Sequence, residues 1–387
     1  MSLFAMILLA SSLIFSNLIR IQSVEAYDVY SFYNKWGSFG EGEGQFIGPI
    51  GVVVDPSGDV IVADGNNHRI QKFNSIGTFI TTWGRESLGS SWGIDMDSLG
   101  RVYVSDPEAG KIVMFVVAAN GTGVFHKQWG TWGSGDAQFI YPYGVAVDPS
   151  TREVYVADSG NHRIQKFIIA NPCPQGTMQI VPGVCFVTKW GTYGSGHGQF
   201  STPVGIALDS SGNVYVSEER NNRVQKFTAT GTFIGTWGTL GSGDGQFNAP
   251  MGIAIDSAGY VYVADTLNNR IQKFKIQKFN VSLPCPEGTT LIVFGACFVT
   301  KWGAQGPGDG QFKGPRGLAI DPSGDVYVAD SENNRIQVFF WKDVPVVNPL
   351  PDIVVVYGVM ALIVILLILN LFRSRLKFLR STNVNIF

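Results

Sequence analysis

A six-residue tag, Phe-x-x-x-Trp-Gly, occurs six times and ends at Gly37, Gly84, Gly130, Gly191, Gly238 and Gly303. The intervals are 47, 46, 61, 47 and 65 residues, so one unit is copied along the chain and twice enlarged by insertion. After each tag comes a Gly-rich loop, then in most copies Gly-Gln-Phe-x-x-Pro-x-Gly, as at Gly245 to Gly252. An apolar stretch ending in Asp follows (Ile253 to Asp256), then a Ser-x-Gly turn and Val-Tyr-Val-Ala-Asp (Val261 to Asp265). Asn-Asn-Arg and Ile271-Gln272-Lys273-Phe274 complete the unit. Alternating residues broken by Gly, Asn and Pro predict four short strands, a to d, in each copy. Units of this kind at roughly 40–50 residues predict a β-propeller, here all-β and six-bladed. Six copies of d exist, but the first precedes the first full core and none follows the sixth. The N-terminal strand is therefore expected to pair with Ile336 to Phe340 and close the last blade, which removes an open sheet edge.

The composition agrees. Gly accounts for 47 of 387 residues, and 45% hydrophobic content argues against disorder. A net charge of -2 lacks the basic footprint of a nucleic-acid partner.

The units resemble the NHL repeat family, through Gly-Gln-Phe-x-x-Pro-x-Gly, Val-Tyr-Val-Ala-Asp and Asn-His-Arg-Ile-Gln-Lys-Phe (Asn161 to Phe167). The resemblance covers about residues 30–341. Copy two departs from it, with a loop shortened to Arg85 to Ser91 and no Gln-Phe-x-x-Pro. Two alternatives to a binding module stand: an exported propeller enzyme, which the resemblance implies, and a structural surface-layer component. Peptide-amidating lyases and lactonases of related fold place a metal at the channel mouth, and cytoplasmic NHL proteins carry ubiquitin-ligase modules or bind RNA. No cysteine cluster of a RING or B-box accompanies the repeats, and no Gly-x-Ser-x-Gly elbow, His-Glu-x-x-His or Walker loop occurs.

Both ends of the chain are apolar. Leu3 to Phe15 carries no charge and is too short to span a bilayer, so 1–26 reads as a secretory signal. Residues 353–372 are uncharged and are followed by Arg373, Arg375, Lys377 and Arg380, which predicts one transmembrane helix with the basic tail 373–387 in the cytoplasm. The ring (27–342), tethered by a Pro-rich linker (343–352), is then expected outside the cell as a single-pass type I protein.

Copies compared with one another separate scaffold from site. The acid/base series Asp64/Arg69, Asp106/Lys111, Asp158/Arg163, Glu218/Arg223, Asp265/Arg270 and Asp330/Arg335 reads as a structural pair joining two strands. A second series, Asp55, Asp97, Asp148, Asp209, Asp256 and Asp321, ends each inner strand, where an Asp side chain can bond the turn backbone. The Trp of each tag is expected to pack between blades. His68 and His162 occupy a slot filled elsewhere by Asn222, Asn269 and Asn334, a poor basis for a metal site, and neither a metal nor a cofactor is expected.

The d–a and b–c loops should share one face of the ring. The residue before the inner-strand Gly lines its mouth and reads Ile50, Trp92, Tyr143, Val204, Met251 and Arg316, with His68, His162 and Arg220 nearby on b–c loops. This mixed apolar, aromatic and cationic set suits a protein, peptide or glycan ligand. The two insertions lie in c–d loops on the opposite face and copy each other, each with two Cys twelve positions apart. Four cysteines allow three pairings, and the repeat favours Cys173–Cys185 with Cys285–Cys297. Sequons at Asn120 and Asn280 mark expected glycosylation on the same face.

Overall fold

In the computed structural model, residues 28–343 apart from 278, 280–283 and 294 are described, together with 369 and 371–374. Contacts divide the chain into Asp28–Lys342 and a second unit of the two termini, 1–27 and 343–387. The signal, the sequon Asn280 and almost all of the linker, the apolar run and the tail lie outside the described residues. Among the described residues no helix is long and apolar enough to cross a membrane.

Six antiparallel sheets form the ring. Blade 1 comprises Pro49–Val54, Val60–Asp64, Arg69–Phe73 and Phe79–Trp83 from inside outward. Blades 2 to 6 begin on inner strands Ile94–Met96, Pro142–Val147, Pro203–Leu208, Pro250–Ile255 and Pro315–Ile320. In blade 6 the outer position belongs to Asp28–Trp36, which pairs with Arg335–Asp343 and closes the ring as the phase of the copies predicts. One expectation needs correction: blades 3 and 5 have five strands, not four. Each insertion folds back as an extra edge strand, Met178–Val181 or Thr290–Val293, because its own alternating apolar residues can pair with the d strand. The bridges Cys173–Cys185 and Cys285–Cys297 pin these hairpins.

Each tag Trp locks neighbouring blades. Trp129 meets Tyr103 of its own blade at 6.3 Å and Phe167 of the next at 5.9 Å, both edge-on. Trp190, Trp237 and Trp302 repeat the arrangement with Phe227, Phe274 and Phe339. Such ring pairs add to the large area an aromatic side chain buries.

The acid/base series does more than join two strands. In blade 3 Asp158 accepts hydrogen bonds from the Ile140 N–H (2.9 Å), Asn161 (2.9 Å), Arg163 Nε (2.7 Å) and Gln165 (3.0 Å). Arg163 then donates to the carbonyls of Ser134 and Gly135 at 2.7 Å and Gln138 at 3.0 Å. The fork therefore clamps the Gly-rich d–a loop by its carbonyls. Lys111 of blade 2 is a point donor reaching only Ser87 O (2.9 Å) and Gln128, which fits the shortened loop there. Its ammonium stands 3.8 Å from Asp106. The second Asp series caps the a–b turns as expected; Asp55 accepts the N–H groups of Ser57 and Asp59, both at 2.9 Å.

Candidate functional site

The two ends of the central channel differ because of one small residue. At the start of every inner strand a Gly faces a carbonyl of the next blade. A Cβ on Gly51 would lie 2.3 Å from the Trp92 oxygen, and one on Gly317 would lie 1.9 Å from the Ile50 oxygen. Only hydrogen fits there, so the blades close in and narrow the channel. Ile50, Trp92, Tyr143, Val204, Met251 and Arg316 ring this neck and leave a depression of about 70 Å³. The six positions picked out by comparing copies thus converge on the ring axis.

Trp92 stacks on Tyr143 with centroids 4.0 Å apart, and the Arg316 guanidinium lies 5.5 Å from the Trp92 ring centre. Burial, reinforced by the Glu219 carboxylate, holds the Tyr143 phenol above its ordinary value. Tyr143 also stacks on Tyr141 at 6.3 Å, and Tyr141 meets Trp132 edge-on at 5.0 Å. Trp132 and Tyr141 are 49% and 46% exposed, so an unbroken line of rings runs from the rim of blade 3 to the axis. Neither residue was singled out from the sequence. A signal existed: Trp132 repeats as exposed Phe39, Tyr193 and Leu240 two positions beyond Trp-Gly in four of the six copies.

His68 and His162 turn out to be inter-blade links. Both adopt left-handed backbone, φ 55° and 54°, as do Asn222, Asn269 and Asn334 at 53°. His162 Nδ1 accepts the Thr202 N–H at 3.2 Å, just as Asn269 accepts that of Gly314 at 3.0 Å. His68 meets the Gly89 carbonyl. His162 and the Asn residues share the slot because each tolerates this conformation and offers an acceptor, whereas His68 donates to its carbonyl. Burial and the neighbouring Arg220 hold the His162 imidazole below its usual value. Arg220 itself is exposed, and Asn120 lies exposed in a c–d turn.

Toward the other face the channel widens to a cavity of about 840 Å³, rimmed by the Asp55 series. Its wall carries Val53, Ala146, Ala207, Ala254 and Ala319, but blade 2 places Asp95 at the matching position. Asp95 accepts the N–H of Val147 (2.7 Å) and Met96 (2.8 Å). Asp95 is half-buried where it lines the cavity, and desolvation there pushes its carboxyl up to about 7 against the pull of those two N–H groups, with Asp97 adding repulsion. The Asp55 series on the rim is engaged in capping its own turns, and Asp95 is the one carboxylate at its level of the wall. Among the described residues no three His, Cys, Asp or Glu side chains gather within reach of one ion.

Asp95 carries a pH expectation. Its folded value lies above the unfolded ~3.9, so its stabilising contribution is complete below about pH 4 and is lost as pH rises through 7. The upper limit is about 4 kcal/mol, and water in the cavity lowers it to about 1–3 kcal/mol. Urea unfolding at about pH 5 and pH 8 should show Asp95→Asn removing that part of the pH dependence; identical profiles for variant and parent would contradict it.

Comparison with known proteins is consistent with this architecture. The NHL repeat family model matches residues 46–73, 139–167, 200–227, 247–274 and 312–339, that is, every blade but the second. Protein brain tumor of Drosophila melanogaster is 30% identical over 204 residues, 52% of this chain and 14% of that protein. Peptidyl-alpha-hydroxyglycine alpha-amidating lyase 1 of the same organism is 28% identical over 214 residues, 49% of this chain and 37% of the lyase. The matched segments are thus well under half of either relative. Among solved structures, a streptogramin B lyase superposes with a TM-score of 0.53 at 16% identity, covering 82% of this chain and all of the other. A Bacteroides thetaiotaomicron protein of unknown function gives 0.59 at 16% identity over 82% and 77% of the two chains. Those likenesses concern the fold. With five matched repeats and a divergent second blade in one closed ring, the chain is an NHL repeat-containing protein.

Proposed function

We propose that the ring is a non-catalytic binding module whose d–a/b–c face takes a protein, peptide or glycan ligand at the cell surface. The observation that carries this reading is the line of rings from exposed Trp132 through Tyr141 and Tyr143 to Trp92, ending at Arg316. Exposed aromatic rings and Arg are the residues that dominate recognition energetics. The cellular address is supported by the paired cysteines, which suit an oxidising exterior, and by the uncharged run 353–372 ahead of four basic residues. In this reading the membrane holds the chain through 353–372 and the ring lies outside the cell.

Capture of surface partners by the purified protein should fall at least tenfold when Trp92, Tyr143 and Arg316 are together replaced by Ala. Equal capture by that variant, with its melting curve intact, would dismiss the site. A second reading, an exported propeller enzyme, is favoured by the likeness to the Drosophila amidating lyase. A stoichiometric metal in the purified protein would select it.

A further inference from the structure

Arg316 differs from the scaffold arginines of the ring, and from Arg85, Arg152 and Arg220 in having an enclosed Nε without a partner. Arg69, Arg163, Arg223, Arg270 and Arg335 each pair with a buried acid and donate to loop carbonyls, and Arg101 pairs with Asp97. Arg316 is half-buried at the head of Pro315–Ile320, with Trp92 against its guanidinium. Its Nε is enclosed and has no hydrogen-bond partner, and among the described residues no acid pairs with it. A partly desolvated guanidinium with idle donors is costly, and a carboxylate is the planar group that its fork matches.

Beside it, Ile50, Val204 and Met251 complete an apolar depression of about 70 Å³. Sugar hydroxyls placed against those side chains would lose water without finding partners, whereas one aliphatic or aromatic side chain would not. The small volume admits a chain end and excludes a helix or a folded surface. Resting on the binding-face reading above, we propose that this depression captures the C-terminal carboxylate of a peptide. Arg316 takes the carboxylate, the last side chain sits against Ile50, Val204 and Met251, and the preceding residues lie along Trp92, Tyr143, Tyr141 and Trp132.

The test uses the full chain in detergent and the acetylated tripeptides Ac-Ala-Ala-Leu and Ac-Ala-Ala-Phe, each as free acid and as C-terminal amide, with N-acetyl-leucine as a small-acid control. Calorimetry should show the acids binding at least tenfold tighter than the amides and than N-acetyl-leucine. Arg316→Met should erase the acid preference and Arg316→Lys should keep part of it, both with unchanged melting temperatures, since Arg316 holds no scaffold bond. Equal affinity for acid and amide, a preference that survives Arg316→Met, or no saturable binding below about 1 mM would overturn the proposal. N-acetyl-leucine binding as tightly as the tripeptides would overturn the peptide assignment in favour of a small organic acid. Loss of surface capture by the triple Ala variant alongside equal acid and amide binding would leave the binding face standing and remove only this assignment.

Discussion

Removal of Asp28–Trp36 should abolish cooperative unfolding and drive the protein into oligomers. The strand is the outer member of blade 6, and its loss bares the edge of Arg335–Asp343, which invites pairing between chains. The loss in packing is also large. Trp36 wedges between Phe73 of blade 1 (5.7 Å) and Tyr327 of blade 6 (6.4 Å), the contact that joins the last blade to the first. Tyr30 stacks on Trp302 at 4.3 Å and shares a 2.8 Å hydrogen bond with the Tyr262 hydroxyl, while Phe32 meets Phe339. Truncating one such aromatic costs about 3–5 kcal/mol, and a whole domain holds only about 5–15 kcal/mol. Light scattering and circular-dichroism melting test this; a monomer with an unchanged sharp transition would show that the ring closes without the strand.

Replacement of Arg163 by Met should cost about 3–5 kcal/mol, because a buried pair loses one partner and leaves the other uncompensated. Asp158 is fully buried, and burial already raises its carboxyl despite the bonds from Ile140, Asn161 and Arg163. The carbonyls of Ser134 and Gly135 lose the same donor. Arg163→Lys should recover less than half of the loss, since a point charge cannot span Asp158 and three carbonyls. Urea midpoints measure both variants. A deficit below about 1 kcal/mol for Arg163→Met would mean that the loop is held by something else.

The same comparison of copies that marked these scaffold residues also marked the mouth residues, by opposite logic. Asp158 and Arg163 recur because every blade needs the loop clamp, whereas Trp92, Tyr143 and Arg316 fill a position at which every copy differs. His68 and His162 fell between the two classes. Their slot alternates with Asn, and the hydrogen bond to the next blade made by His162 and Asn269 is one constraint met by two residue types.

By itself the sequence determined the four-stranded core of each blade, the number of blades, the closing strand and the disulfide pairing, but not the fifth strands of blades 3 and 5. Each of these is local or is copied, so turn chemistry, strand alternation and the phase of a repeat suffice to specify it. The tertiary structure decided what depends on the ring as a whole. Residues in successive units meet at the axis because every inner Gly lets the next blade approach, and six such approaches narrow one end while the other opens into a cavity. Asp95 shows the difference most clearly. In the sequence it is one more acid in a divergent copy, and only the closed ring encloses it in an otherwise aliphatic wall and raises its carboxyl to about 7.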